Sequence, residues 1–404
     1  MSVVVDLILG IVTSIGGFVE VGSISTSAQA GSEFGYQLLW AVAAAGVMLA
    51  LLVEMSGRLA GVSKRSMAAA VREHLGIQFQ AVPLAAELVL DTLLLAAEIG
   101  GVAIAVKLVT AIGFQWWILP VGLVILVVLW TCGFGLIEYG IGLLGLVTLS
   151  FVVSAWKLGP HVADLGASLV PSLPTHHHMR YAFLAVSIVG ATVSPYLLNF
   201  YASGTVEEKL AEKDLWVNTV TAYLGTGFGT VVSMGVLVTS AMVLGPKHIQ
   251  VDSYEQAALM FVPVFDRWAV PLFALSLGIG CFGAAVEIAL NGGYVFAQVF
   301  GWPWGADKPR RSATRFAMTF TFVLVAALAI ALLGFDPLRL TMISVALTVV
   351  IMPALILPFL ILMNDQHYVK THTNGPVLNG FLAVATVLGA VLALVVVPLE
   401  VLGG

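Results

Sequence analysis

The sequence predicts an all-α polytopic membrane protein of about eleven transmembrane helices, arranged as five plus five with one added. Three observations predict it. Of its 404 residues, 60% are hydrophobic and only 10% charged, with a mean hydropathy of +1.03. So few polar groups cannot cover a water-facing surface, so most of the chain must use lipid as its solvent. Apolar runs recur at the length that crosses about 30 Å of hydrocarbon, roughly 20 residues each. Two of those runs, the first and the sixth, break their own helical pattern at similar depth. The whole chain, 1–404, therefore reads as a single transmembrane transporter domain, with a first repeat near 1–156, a second near 180–362 and an extra helix near 378–402.

In order, the spans fall near 3–31, 36–60, 79–107, 114–132, 136–156, 180–203, 215–244, 268–299, 311–334, 339–362 and 378–402. Between the second and third, SKRSMAAAVREHLG at 63–76 predicts a short amphipathic helix on the cytoplasmic surface. If the N-terminus is cytoplasmic, eleven Lys and Arg residues lie inside and six outside. That asymmetry predicts N-in and, with an odd number of spans, C-out. The longest exterior loop, 157–179, carries three histidines at 176–178. Three adjacent side chains cannot all point at one ion, so the plain reading is exterior loop.

Other classes find little support. Cys132 and Cys281 lie apart in apolar surroundings, so neither a disulfide framework nor a cysteine metal site is expected. A net charge of -5 does not suggest nucleic acid. Asp6 stands where a leader would be basic, so no cleavable signal is expected. No His-Glu-x-x-His, Gly-x-Ser-x-Gly or paired-aspartate protease motif is present, so no enzymatic activity and no cofactor are expected.

In the first span, Gly16, Gly17 and Gly22 surround Glu20, a carboxylate that would be very costly facing lipid. In the sixth, GATVSPYLLN at 190–199 puts Pro195 in mid-membrane, where it removes an intrahelical hydrogen bond. Paired breaks at corresponding places in two halves point to a central transport site, where freed carbonyls and half-helix ends face a substrate. The plainer alternative is a pair of simple kinks. The third span carries Glu87, Asp91 and Glu98; spacings of four and eleven place all three on one helical face, an ion or proton pathway candidate. Glu54 and Glu287 raise the same question, and Glu287 has Asn291 one turn away.

TSAQAGSEFGYQLLW at 26–40, MSGRLAGVSKRS after it and GATVSP at 190–195 resemble the first, second and sixth helices of the NRAMP (natural resistance-associated macrophage protein) metal transporters, a likeness that runs through nearly all eleven spans. The resemblance implies a LeuT-type fold of two inverted five-helix repeats plus one helix, working by alternating access. It also implies an integral protein of a bacterial inner membrane, functional as a monomer, whose divalent metal is cargo. The site departs from the family pattern. Asp-Pro-Gly-Asn is replaced by Glu20, Val21, Gly22 and Ser23, and Met-Pro-His-Asn by Ser194, Pro195, Tyr196 and Leu197. Losing the thioether shifts preference from soft metals toward an all-oxygen site for magnesium or manganese, as in the magnesium-transporting relatives. Glu20, Ser23, Ser194 and the carbonyl of Ala191 are the candidate ligands, with Gly22, Tyr196 and Asn199 lining the cavity. Leu95 and Tyr196 stand where the family carries titratable groups, so obligatory proton coupling is not expected. The alternative on the same scaffold is a carrier of a small organic cation or polar solute, with Glu20 as counter-charge and Phe18, Tyr196 and Asn199 around an enlarged cavity.

Overall fold

The computed structural model describes residues 20–174 and 176–403, with the side chains of Glu138 and 399–403 left aside. Gly16, Gly17, Phe18 and the first part of the first span lie outside the described residues.

The described chain is helical throughout, with no strand. Its helices are α1 (Val21–Phe34), α2 (Leu39–Ser63), α3 (Met67–Leu75), α4 (Ile77–Thr110), α5 (Gln115–Thr131), α6 (Phe134–Gly145), α7 (Leu149–Leu158), α8 (Val162–Ala167) and α9 (His178–Thr192). There follow α10 (Pro195–Glu207), α11 (Leu215–Val243), α12 (Tyr254–Ala258), α13 (Val262–Phe265), α14 (Ala269–Phe300), α15 (Thr314–Leu332), α16 (Pro337–Leu362), α17 (Gln366–Val369) and α18 (Pro376–Gly403). Among the described residues, nine stretches are long and apolar enough to cross a membrane, and α5 is a shorter apolar helix. With α1 as the described part of the first, these match the eleven expected spans. Two details differ. The expected span 136–156 is divided by a 3-10 turn at Leu146–Thr148, just after the glycine-rich GIGLLG, where the helix is intrinsically weak. The expected surface helix at 63–76 is shorter, Met67–Leu75, because Ser66 caps it by accepting a hydrogen bond from the Ala69 N–H.

Large apolar side chains such as Trp116, Val124, Phe322 and Leu388 are exposed along α5, α15 and α18. In a chain of this composition those faces meet lipid, whose apolar tails leave backbone groups to be satisfied inside each helix. The polar groups go inward instead. Ser23, Ser25, Thr26, Ser27 and Gln29 are all buried although they cover every side of α1. Such a helix has no lipid face; it is enclosed by α11, α9, α16 and α14.

Helices α1 and α9 are tied to each other at the end of α1. Arg180 donates to both oxygens of Glu33 at 2.6 and 2.9 Å, and to Gln29 Oε1 at 3.0 Å. Farther along α9, Gly190 lets α16 approach closely: a Cβ there would lie 1.8 Å from the Val345 carbonyl oxygen. Backbone cannot yield as a side chain can. Gly190→Ala should therefore prise α9 from α16 and cost about 1–3 kcal/mol or more, read as a lower unfolding midpoint of the detergent-solubilised protein; an unchanged midpoint would contradict this packing.

Candidate functional site

Helices α9 and α10 belong to one span interrupted at residues 193 and 194. Pro195 explains the interruption: it has no N–H for the carbonyl of Ala191, while its fixed φ suits the first turn of α10. At the matching place α1 begins only after Glu20, whose backbone is extended (φ -108°, ψ 172°). Two helix starts and one helix end thus meet inside the protein.

The residues just before the two starts are Glu20 and Ser194; a serine there commonly caps its helix, and either side chain could turn back on its own first turn. Neither does. Ser194 Oγ donates instead to Glu20 Oε1 and to the Gly190 carbonyl, both at 3.3 Å. Tyr196 Oη donates to Glu20 Oε2 at 2.6 Å. Glu20, Ser194 and Tyr196 are 1%, 0% and 0% exposed, so this is a buried carboxylate held by two hydroxyls from the opposite broken helix. Gly22 makes the approach possible. A Cβ there would lie 2.9 Å from Val345 Cγ1 and 3.2 Å from both the Ala191 Cβ and Glu20 Oε1; any side chain would wedge α1 away from the α9 end.

The cap of α1 comes from elsewhere. Glu98, fully buried on α4, accepts the Val21 N–H with both oxygens at 3.1 and 3.4 Å. Its oxygens satisfy a donor at the positive end of α1, leaving Glu20 free to face the gap. Leu in place of Glu98 would orphan that N–H, at a cost of about 1–3 kcal/mol, whereas Gln keeps an acceptor. Thermal unfolding should accordingly rank the parent and Glu98→Gln above Glu98→Leu, and equal midpoints for the two variants would contradict the capping role.

The other expected residues divide. Ser23 is buried in the first turn of α1 but makes no hydrogen bond to the group among the described residues. Asn199, read from sequence as lining the same cavity as Tyr196, instead donates to Glu87 Oε1 at 2.7 Å. Asn291 on α14 donates to the same Glu87 oxygen at 3.0 Å and to Asp91 Oδ2 at 2.8 Å. Glu87 and Asp91 therefore form a second buried group, apart from Glu20. Glu287 is buried one turn from Asn291 and is hydrogen-bonded to neither group among the described residues. Glu54 pairs with Arg58 at 3.3 Å, a structural role.

Some participants are not evident in the sequence reading. A Cβ on Gly101 would lie 2.5 Å from Cys281 Sγ, which places the buried Cys281 against α4 beside the α1 start. Ser25 meets Tyr254 Oη at 2.8 Å, tying α1 to α12. Ser203 donates to the Asn199 carbonyl at 2.7 Å and accepts from Gln298 at 2.8 Å. The four-residue spacing of Asn199 and Ser203 on α10 would have signalled one face, but not its partner.

Among the described residues, no three His, Cys, Asp or Glu side chains form a metal-ligand group. Around Glu20 the donors are one carboxylate with hydroxyl and carbonyl oxygens, a hard set suited to hard cations. The histidines at 176–178 stay at the start of α9, outside this group.

Comparison with known proteins agrees with this architecture. Solved structures of a manganese transporter from Eremococcus coleocola are similar at a TM-score of 0.77 and 17% identity, over 96% of this chain and 85% of that one for the complex with an aromatic bis-isothiourea compound. MhsT in complex with L-phenylalanine is similar at a TM-score of 0.64 and 11% identity, over 96% and 97% of the two chains. Mhp1, a nucleobase-cation-symport-1 family transporter, is similar at 0.59 and 15%, over 96% and 90%. The fold is thus the LeuT type, and the chain is an integral membrane protein. Residues 10–398 match the sequence family described as natural resistance-associated macrophage protein-like, and the chain belongs to this Nramp family.

Proposed function

We propose that this protein carries a divalent metal cation across the membrane by alternating access, with Glu20 as its charged ligand. The observation that carries this reading is the pair of helix-start side chains, Glu20 and Ser194, which do not cap their own helices and meet in the gap between two broken spans. A carboxylate buried there is costly; the Ser194 and Tyr196 hydroxyls offset part of that cost, and a bound cation would balance the charge. The end of α9 adds the negative pole of a helix dipole and the carbonyl of Ala191, which has no N–H on Pro195 to accept. Family membership and likeness to a manganese transporter support the choice of a metal.

Magnesium or manganese is the preferred cargo, because the donors at hand are oxygens: Glu20, Ser23, Ser194 and the Ala191 carbonyl, with retained water filling an octahedron. Magnesium is commonly held by only one or two carboxylates. The hydroxyls of Ser194 and Tyr196 donate to the carboxylate while no cation is held; when one binds, the Ser194 proton turns away and its oxygen faces the ion. The two five-helix repeats rock about this gap, the N-terminus inside and the C-terminus outside, in a bacterial inner membrane and as a monomer. Vesicle uptake of magnesium, manganese, calcium and a panel of organic cations tests the reading; uptake of organic cations alone would replace it with the solute carrier on the same scaffold.

Transport proceeds without obligatory proton coupling. Leu95, fully buried, and Tyr196, bonded to Glu20, occupy the places where the family pattern has titratable groups. Metal uptake into vesicles holding a pH dye should leave the lumen at its starting pH. Metal-driven acidification that disappears in Glu98→Gln would show instead that α4 has rebuilt a proton route.

A further inference from the structure

Below the central gap, three helices turn polar faces toward one another. On α4 these are Glu98, Asp91, Glu87 and Gln80; on α10, Tyr196, Asn199 and Ser203; on α14, Asn291 and Gln298. Each series follows the three-, four- or seven-residue spacing of a single helical face. At its centre, Glu87, Asp91, Asn199 and Asn291 are 1%, 2%, 2% and 0% exposed. Among the described residues, no Lys, Arg or His pairs with Glu87 or Asp91.

The hydrogen bonds do not close within this group. Both amides give their N–H to the carboxylates, yet Glu87 Oε2, Asn199 Oδ1 and Asn291 Oδ1 remain buried with no partner. Each amide oxygen shares its carbon with a nitrogen already bonded to Glu87. With Glu87 ionised all three orphan atoms are acceptors, and a proton on it would supply one donor and still leave two without a partner. One water brings two donors to them and would leave one unsatisfied, and each unsatisfied buried acceptor costs about 1–3 kcal/mol. A cation satisfies all three, and a double charge balances the two carboxylates.

We infer that Glu87, Asp91, Asn199 and Asn291 form a second, oxygen-only site for a hard divalent cation, one station along the path from Glu20. This rests on the transport reading above. The amides serve both partners at once: each donates its N–H to a carboxylate and keeps its oxygen free for the ion. Asn199 lies one turn of α10 from Tyr196, about 4.5 Å of rise, so the same helix touches both groups. Farther on, Gln80 Oε1 and Gln298 Oε1 are again buried acceptors without partners. Asn199 and Gln80 also line a cavity of about 10 Å³ with Met67 and Val71 of α3, close to the size that admits one water. The oxygens thus continue toward the rim that carries α3.

Equilibrium dialysis of the purified full-length protein against manganese chloride tests this. Two manganese ions per chain are expected, both displaced by excess magnesium. Glu87→Gln and, separately, Asn291→Leu should each bind one, and that remaining ion, lost on adding Glu20→Ala, also shows that the variant is folded. A single ion in the parent, lost in Glu20→Ala, overturns the second site and leaves the transport reading standing. A single ion that survives Glu20→Ala but is lost in Asn291→Leu supports this site and overturns the role given to Glu20. No binding in the parent overturns both, and loss of both ions in each of Glu87→Gln and Asn291→Leu overturns two separate sites.

Discussion

Glu20→Ala should abolish metal uptake, with a loss greater than about 100-fold, while the protein still folds. Changing a residue that merely supports a metal ligand costs about 10–100-fold in affinity, and Glu20 is, among the described residues, the carboxylate that lies between the two broken helices. With alanine there, the gap offers neutral hydroxyl and carbonyl oxygens to an ion whose dehydration is costly. The fold loses less. Ser194 Oγ keeps its bond to the Gly190 carbonyl, and only Tyr196 Oη loses its acceptor, a cost of about 1–3 kcal/mol offset in part by removing a buried carboxylate. The α1 cap is untouched, because it comes from Glu98. Glu20→Gln separates charge from shape: it keeps an acceptor for Tyr196 and should still fail to transport. Parent-level uptake by both variants, in vesicles with matched protein content, would end the metal and the organic-cation readings alike.

The break in the sixth span was legible because proline carries its own backbone rule: Pro195 fixes where α10 can begin whatever surrounds it. The face shared by Glu87, Asp91 and Glu98 was legible for the same local reason, since helix geometry alone sets it. What each face meets was not. Tyr196 and Asn199 are three residues apart and read as lining one cavity, yet Tyr196 bonds to Glu20 and Asn199 to Glu87. That division depends on how α4 and α14 are set against α10, which no local spacing encodes. The capping of α1 by Glu98 spans 77 residues of sequence, so a helix start lacking its own cap gives no hint of which distant carboxylate supplies one. The sequence marks Glu20 by its cost in lipid, and the hydrogen bonds from Tyr196 and Ser194 make that cost tolerable.

Ser194→Met should shift selectivity toward soft ions, raising cadmium affinity relative to magnesium by at least about tenfold, or about 1.4 kcal/mol. Sulfur is a poor ligand for a hard ion and a good one for a soft ion, so the change acts on selectivity more than on folding. Space is the difficulty. Ser194 is fully buried and its Oγ already lies 3.3 Å from Glu20 Oε1, so the longer side chain must find room beside Tyr196, itself fully buried. The break after Val193 helps, since α9 has ended there and the chain before Pro195 is extended. Ser194→Cys removes the volume problem: it puts a sulfur where the hydroxyl stands, with almost the same shape, and a thiol near a cation is readily drawn into ligation. Isothermal titration with cadmium and magnesium on the parent and both variants separates the causes. A gain in Cys alone means the methionine does not fit. A gain in both means the side chain at 194 faces the ion. No gain in either, in variants that still unfold as cooperatively as the parent, would remove Ser194 from the ligand set. If the parent also moved neither magnesium nor manganese, the gap between the broken helices would then belong to an organic solute paired with Glu20.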